Sequence, residues 1–474
     1  MDRDDRWPGQ VPEYQDYLAR TLAAIKYTTG TAPAQAHGHC PLCGHGPITV
    51  YPNALKGAGI NFANMDREGA FPGLDSSRAW QGYALCLDCA DLLYVFKFHV
   101  MEQFQGRIAG RKALVLPALL GNPSGRHRFM KDWHDYIQGL TGAKVEDIEA
   151  DLMEFFAGRD DAHLVLHILW ADFGQVIDNC RGLVTDILPS RLQQLDRCNH
   201  AANAWRHPLA PKVRIDEAEF DLGMNFLFPL FKRPGGKPAK AANASPRLFA
   251  IKRHLTEHLY QGSPLPDPGP LQEVLLDTAR WYLGQAADDG KPWGLIGEGL
   301  GKKGIPYWTL AGWVRHLARL YHYLDITGVL PMSPEPGVFQ PRMEALKPYF
   351  TPGSGIDRPE KAFAFLLGAL YGKLLQVQGA RGVNVSANAL TWLRRLNLSG
   401  RDLPELYVKV REKLLSYGTE SSHAVRELLH ELGRLGTELG DRIDLDNTAT
   451  CYFLLLGQSI TSDLLPSRSD SNGD

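Results

Sequence analysis

Two short cysteine motifs constrain this chain more than any other feature. Cys40 and Cys43 enclose two residues and precede Gly44, and Cys86 and Cys89 form a second pair with the same spacing. Two such pairs supply the four thiolates that structural zinc prefers, and Gly44 suits the tight turn of a zinc knuckle. Because protein would fill all four positions, the spacing predicts a structural Zn²⁺ site. Two redox dithiols, or unlinked core cysteines, are the alternatives.

The segment between these motifs also favours a metal. Residues 28–80 are rich in Gly, Pro, Asn and His and show little hydrophobic periodicity. A turn-rich segment of this length inside a compact domain needs something other than a hydrophobic core to hold it. We therefore predict a zinc element over residues 37–92, with the metal pinning the intervening loop at both ends. The remaining cysteines lie in helical patterns and are predicted to be buried apolar residues: Cys180, Cys198 and Cys451.

Composition narrows the classes of function. The chain has 474 residues, and its 51 Lys and Arg against 53 Asp and Glu give a formal net charge of −2. This balance excludes a uniformly basic nucleic-acid coat and an acidic tail protein. Seven cysteines are too few, and odd in number, for a disulfide scaffold. No signal-type apolar region and no run of about 18 apolar residues occurs, so we expect a cytoplasmic protein without membrane spans.

Basic residues are concentrated in two windows that contain no acidic residue, 103–131 and 231–254. Such windows in a nearly neutral chain predict local contact with phosphate, although solvated surface charge is the alternative. The first window contributes Arg107, Arg111, Lys112, Arg126, Arg128 and Lys131. The second contains a flexible basic linker over residues 231–247 and contributes Lys232, Arg233 and Lys237.

Two motifs point to enzymes or nucleotide sites. His254, Glu257 and His258 match the HxxEH form of inverted zinc metallopeptidases, but no downstream glutamate stands out as a third ligand. A solvated amphipathic helix is the preferred interpretation. The stretch GLGKKG spells GxGxxG but lacks the strand that should precede it, which favours a loop whose Lys302 and Lys303 touch phosphate.

The hydrophobic patterns predict an α+β, mostly helical protein. A Pro-rich connection near residue 340 is the strongest boundary signal, which gives an N-terminal domain over 1–340 and a C-terminal antiparallel helical bundle over 341–474. The N-terminal domain is predicted as an α/β body that carries the zinc element. Two short apolar runs, 113–120 and 163–170, fit buried strands or buried helix turns equally well.

The order of three stretches resembles a known family. The first is CPLCGHGPITVY followed by INFANMDREGAFPG and YALCLDCADLL; the second is FQGRIAGRKALVLPALLGNPSG; the third is AFAFLLGALYGKLLQVQ together with CYFLLLGQSI. This order is similar to that of the large-subunit proteins of type I-B CRISPR effector complexes, or Cascade. The cysteines match the interrupted zinc element of that family directly.

The resemblance implies a non-enzymatic subunit of an RNA-guided antiviral surveillance complex. Its partners would be the other Cascade subunits, the crRNA and target double-stranded DNA, where it inspects the protospacer-adjacent motif and stabilises the R-loop. Cleavage of the target DNA would be carried out by a recruited helicase-nuclease. Candidates for motif reading are Asn61, Asn64, Lys302 and Lys303, and Arg394 and Arg395 beside Trp392 are candidates for single-strand contact. A turn asparagine, a solvated lysine and a core Trp392 are the alternatives.

The resemblance also implies that a separate small subunit can be made. In this family the C-terminal bundle can be made from an internal start. Met332 or Met343 would release such a bundle from this chain.

Overall fold

The fold is described from a computed structural model of the chain. The described residues are 10–28, 32–61, 77–109, 111–119, 164–211, 246–288, 309–330, 339–383, 390–393, 396–440 and 442–466. They divide into two compact units, the first containing the described residues up to 188 and the second those from 189 onward. The predicted separation of folding domains near residue 340 stays a prediction.

The first unit combines short helices with two antiparallel sheets. Its helices are α1 (Pro12–Leu22), α2 (Ala54–Gly57) and α3 (Leu87–Val95), and four short turns of π- or 3₁₀-helix cover Ala23–Tyr27, Ala79–Gln81, Phe96–Val100 and Met101–Phe104. A hairpin joins β1 (Gln35–Gly38) to β2 (Ile48–Val50). The larger sheet has the order β3 (Gln105–Ile108), β4 (Arg111–Leu119), β5 (Leu164–Phe173) and β6 (Ile177–Ile187).

The described parts of both apolar runs that the sequence left open between strand and helix are strands, 113–119 in β4 and 164–170 in β5. Val115 on β4 pairs with Ile168 on β5, and both are buried. Trp170 is 1% exposed, and its indole N–H donates to the carbonyl of Ile108 at 3.0 Å. β-branched residues of this kind pack well on a pleated surface, and the indole bond removes the cost of a buried unpaired donor.

The second unit is helical throughout its described secondary structure. Its helices are α4 (Pro189–Asn203), α5 (Pro246–Gln261), α6 (Gly269–Asp288), α7 (Leu310–Ile326), α8 (Pro359–Ala380), α9 (Leu390–Leu393), α10 (Leu403–Ser416), α11 (His423–Leu439), α12 (Asn447–Ser459) and α13 (Thr461–Leu464). Local sequence explains several starts: Thr309 caps α7, Asp446 caps α12, and Pro359 opens α8.

Helices α8 and α12 form the densest part of the second unit because glycines face the opposing backbone. A Cβ added to Gly368 would lie 2.0 Å from the carbonyl oxygen of Leu454, and one added to Gly457 would lie 1.8 Å from that of Phe365. Real Cβ atoms cannot approach so closely. The two sequence stretches quoted above for the ends of the bundle are therefore packed backbone to backbone.

The same two helices run parallel. Lys361, in the first turn of α8, lies over the ring of Phe453 in the middle of α12, whereas Lys373, further along α8, donates from its ammonium to the Leu465 carbonyl at 2.9 Å beyond the end of α12. Helices joined by short loops are antiparallel neighbours, but α8 and α12 are separated by three helices and meet through their glycines instead.

A buried arginine ties α7 to the end of the bundle. The Arg315 side chain is 4% exposed and forms an ion pair with Asp463. Its guanidinium also donates to the carbonyls of Ser459 at 3.2 Å and of Pro208 at 3.1 Å. Because a buried charge is tolerated only when it is paired and hydrogen-bonded, these bonds join three distant parts of the chain into one unit.

The predicted fold class is confirmed: the structure is mostly helical with small antiparallel sheets and a four-cysteine cluster in its N-terminal region. Within the described residues, we find no helix whose length and apolar character would suit a membrane crossing.

Two glycine substitutions should shift stability in opposite directions. Gly457→Ala forces α8 and α12 apart, so we expect it to destabilise the second unit by about 1–3 kcal/mol. The control is Gly433→Ala on α11, where an added Cβ meets nothing within 4 Å. That change should stabilise the protein by about 0.5–1 kcal/mol through helix propensity. Urea unfolding followed by circular dichroism measures both; equal shifts would contradict the glycine packing.

Candidate metal centre

The first cysteine pair lies in the turn between β1 and β2. The backbone N–H of Cys40 donates to the carbonyl of His45 at 2.9 Å, and the N–H of Gly44 donates back to the carbonyl of Cys40 at 2.9 Å. Gly44 has φ +73°, a left-handed conformation that glycine adopts without steric cost. The Cys-x-x-Cys-Gly spacing therefore produces the tight knuckle that the sequence predicts.

The second pair lies at the start of α3. Cys86 is the N-cap residue of this helix and Cys89 lies in its first turn. An antiparallel bridge between Tyr51 and Leu85 holds the two pairs together, with N–H···O distances of 2.8 and 3.3 Å. The hairpin and the helix thus present their sulfur atoms to a common point.

All four sulfur atoms lie within 4.8 Å of one another, and the Sγ atoms of Cys43 and Cys86 are 3.7 Å apart. A tetrahedral ion with metal–sulfur bonds of about 2.3 Å requires sulfur–sulfur distances of about 3.8 Å. The donor set and its spacing are compatible with one structural metal ion. The prediction that Cys40, Cys43, Cys86 and Cys89 form one cluster is confirmed.

The thiols differ in their surroundings. Burial would raise the pKa of Cys40, but backbone hydrogen bonds at Cys86, Cys43 and Leu42 outweigh burial and lower that pKa to about 6. Burial and the neighbouring thiols raise the pKa of Cys86 and Cys89. A divalent cation reverses this balance, because it favours deprotonation of every thiol that it binds.

Around the sulfurs there is a small hydrophobic core. Three of the cysteines are buried in it, whereas Cys43 is exposed. Val50, Leu55 and Leu85 pack with them, and the buried Tyr27 donates from its hydroxyl to the Asp91 carboxylate at 2.6 Å. A metal here would complete a core that is too small to hold the turn-rich segment alone.

The residues of the HxxEH motif are not arranged as metal ligands. Glu257 is engaged by Arg253 in an ion pair, and the His258 Nδ1 lies 2.8 Å from the Ser263 hydroxyl. Within the part of the chain that the structure describes, the cysteine cluster is the group that could hold a metal ion.

Several predicted contact residues lie in the described part. Asn61 follows β2 and α2, and its side-chain oxygen is buried and finds no hydrogen-bond partner among the described residues, which does not favour base reading by that atom. Arg107 and Lys112 are cross-strand partners in the β3–β4 hairpin. Arg111 opens β4 and interacts electrostatically with Asp172. Trp392 on α9 is half-buried.

Other predicted residues lie outside the described residues, and their roles stay predictions. They are Asn64, Arg126, Arg128, Lys131, Lys232, Arg233, Lys237, Lys302, Lys303, Arg394 and Arg395. Of the three cysteines predicted to be buried in helices, Cys451 is buried on α12 and Cys198 is half-buried on α4. Cys180 is exposed on β6, so the prediction for it was wrong: its run forms a strand with an exposed face.

Folding brings together a group of lysines that could not be recognised as a group from the sequence. Lys26, Lys56, Lys97 and Lys112 all line one cleft of about 890 Å³ in the first unit. They come from the 23–27 turn, α2, the 96–100 turn and β4, so no window of the sequence shows them side by side. Lys112 is the member that the acid-free window had indicated.

Comparison with protein families identifies the chain. Residues 37–169 match the model of the CRISPR-associated protein TM1802 (cas_TM1802) central domain, and residues 312–468 match that of its C-terminal domain. The protein belongs to the TM1802 family of CRISPR-associated proteins. Membership in this family is consistent with the type I-B large-subunit resemblance, which is thereby confirmed at the level of the family. A search of curated proteins found no match.

The two TM1802 matches cover parts of both units. The central-domain match begins within β1 and covers both cysteine pairs, and the C-terminal match begins within α7 and extends past α13. The protein therefore has a role in a CRISPR system. Its family membership points to interaction with other CRISPR components.

Metal content should depend on the cluster alone. We expect the purified chain to carry one thiolate-bound divalent metal ion, and Cys43→Ser to reduce the bound metal well below one per chain. Cys180→Ser is the matched control, because both cysteines are exposed. Mass spectrometry of metals in native protein measures the result. Equal metal content in the two variants would contradict the site.

Proposed function

We propose that this protein is the large subunit of a type I-B Cascade complex, an RNA-guided CRISPR surveillance assembly. The observation that carries the proposal is the pair of TM1802 domain matches, which occur on one chain in the order central then C-terminal. The subunit binds crRNA and target DNA, inspects the protospacer-adjacent motif and stabilises the R-loop. In such complexes guide pairing reads the sequence, while protein supplies motif reading and positive charge along phosphate.

We further propose that the metal is Zn²⁺ and that it is structural. Four cysteine ligands leave no open coordination position for a substrate or a water molecule. Three of the sulfurs are also buried in a hydrophobic core, which favours a folding role.

The protein is proposed to be non-enzymatic, with cleavage carried out by a recruited helicase-nuclease. The rival metallopeptidase would need a metal at His254 and His258, with Glu257 free to activate water. Glu257 is instead held by Arg253, and the rings of the two histidines meet edge to face with centroids 4.6 Å apart. This arrangement favours an amphipathic helix over a catalytic site.

A separate small subunit from an internal start has a structural cost. A chain beginning at Met343 would lack α7, and Asp463 would then lose its Arg315 partner. It would also expose the face of α12 that packs on α7. Such a bundle would need another protein surface to cover that face. Met332 lies outside the described residues.

Co-purification tests the proposal. A tagged chain expressed with the genes of its own CRISPR locus should pull down the other Cascade subunits together with short repeat-derived RNA, which sequencing would identify. The matched control is the same chain expressed without the repeat array. A chain that is isolated alone and binds DNA without RNA would favour a different function, that of a stand-alone zinc-knuckle DNA-binding protein, and would overturn the Cascade proposal.

A further inference from the structure

The first unit contains a cleft whose lining is strongly basic. We call it the lysine cleft and define it by Lys26, Lys56, Lys97, Phe98 and Lys112, with Gly174 at the tip of the β5–β6 hairpin. Glu102 is the one acidic residue among the described lining residues. Four ammonium groups against one carboxylate give the cleft a positive potential in a chain that is almost neutral overall.

Close backbone contacts build the floor of this cleft. A Cβ on Gly57 would lie 2.2 Å from the Lys26 carbonyl oxygen, so α2 can approach the 23–27 turn only with glycine at this position. Gly59 has φ +79° and faces the Phe98 ring. The chain then bonds to the larger sheet, because the Ile177 N–H donates to the Gly59 carbonyl at 2.7 Å. The cleft is therefore a fixed feature of the first unit.

Lys97 is the unusual member of the group. The residue is 6% exposed, yet its ammonium donates to a neutral group, the Gly174 carbonyl, at 3.0 Å. No carboxylate of the described residues forms an ion pair with it. A buried charge without an opposite charge is costly, and an anion in the cleft would relieve that cost.

An exposed aromatic ring adjoins this charge. Phe98 is 45% exposed although it is a large apolar residue. The Lys97 ammonium lies 4.9 Å from the centroid of its ring, and Tyr94 packs beside it with centroids 4.6 Å apart. A supported aromatic face beside several lysines is the arrangement that binds single-stranded nucleic acids, because bases stack on the ring while phosphates meet the cations.

We propose that the lysine cleft binds single-stranded nucleic acid. A phosphate group contacts Lys97, the flanking phosphates contact Lys26 and Lys112, and one base stacks on Phe98. The identity of the anion rests on the proposed function, which supplies both an RNA guide and a displaced DNA strand. Both the RNA guide and the displaced DNA strand present a single-stranded phosphodiester backbone.

Lys97→Met is the first test. Methionine keeps an unbranched apolar side chain but removes the charge, so we expect the melting temperature to stay the same or to rise. The affinity for a labelled oligothymidylate of about 20 nucleotides should fall about tenfold, measured by fluorescence anisotropy with the full chain. A purely structural Lys97 would give the opposite pattern, a lower melting temperature with unchanged affinity, and would overturn the proposal.

A double charge reversal tests the phosphate contacts even if the Lys97 variant fails to fold. Lys26→Glu with Lys112→Glu should lower the affinity at least tenfold and reduce the slope of log affinity against log salt by about 1.4, or about 0.7 per lost phosphate contact. The control is Lys409→Glu with Lys413→Glu, which changes the net charge equally on exposed positions of α10. Equal effects of the two double variants would overturn the proposal.

Phe98 separates stacking from charge. Phe98→Leu should weaken binding about fivefold or more without changing the salt slope, whereas Phe98→Tyr retains a ring and should bind like the original chain. If Phe98→Leu loses binding to single-stranded DNA, to single-stranded RNA or to both, the result supports the proposal and identifies the strand that the cleft binds. Loss of duplex binding with single-strand binding intact would overturn it.

The proposal and the proposed function fail in different experiments. If RNA-containing complexes assemble but the Lys97 and double variants bind strands normally, only the cleft proposal is wrong. If the cleft variants lose strand binding but no complex is recovered, only the Cascade assignment is wrong.

Discussion

The mutual proximity of four sulfur atoms is the constraint on which the first unit depends. Binding of a structural metal by such a set is worth about 10–16 kcal/mol, which equals or exceeds the whole stability of an ordinary domain. The hydrophobic core around Val50 and Leu85 is small by comparison. A metal at this point would hold the β1–β2 hairpin against α3. It would thereby position α2 and the Gly59 segment that bonds to β6.

The shape of the lysine cleft depends on the segment that contains the four cysteines. Lys56 lies on α2, and Lys97 lies just beyond α3, which begins at the second cysteine pair. Lys112 comes from the larger sheet, to which the Gly59–Ile177 bond connects the cysteine element. The cysteine cluster and the lysine cleft are consequently parts of one structure, in which a bound metal would supply rigidity and the cleft presents the charge.

The second unit depends on a different kind of constraint, the close approach of two helices. Gly368 and Gly457 let α8 and α12 meet at their backbones, and Arg315 joins α7 to the residues after α12. The C-terminal family match begins within α7, which agrees with the placement of Arg315 inside this packed unit. The Pro-rich connection is conspicuous in the sequence. However, α7, the helix before it, packs against both α4, which precedes the connection, and α12, which follows it.

Local patterns were sufficient for much of this protein. The spacing of the cysteines, the glycine of the knuckle and the three- and four-residue periodicity of the bundle helices depend on neighbours in the sequence, so they could be predicted from it. Strand and helix could not be separated for the runs at 113–120 and 163–170, because short buried runs are apolar on every side in either form. The cross-strand register between β4 and β5 is the observation that shows both runs to be strands.

The cleft could not be predicted, because its lysines are brought together by folding and each one alone resembles solvated surface charge. The exposed Cys180 and the buried Asn61 oxygen likewise depend on which face of the chain meets another element. The sequence was enough to predict the cysteine cluster, the helices of the bundle and the family, since these depend on residue type and spacing. The tertiary structure alone decided which charges share a surface, because distance in space between remote segments is set by packing and not by order along the chain.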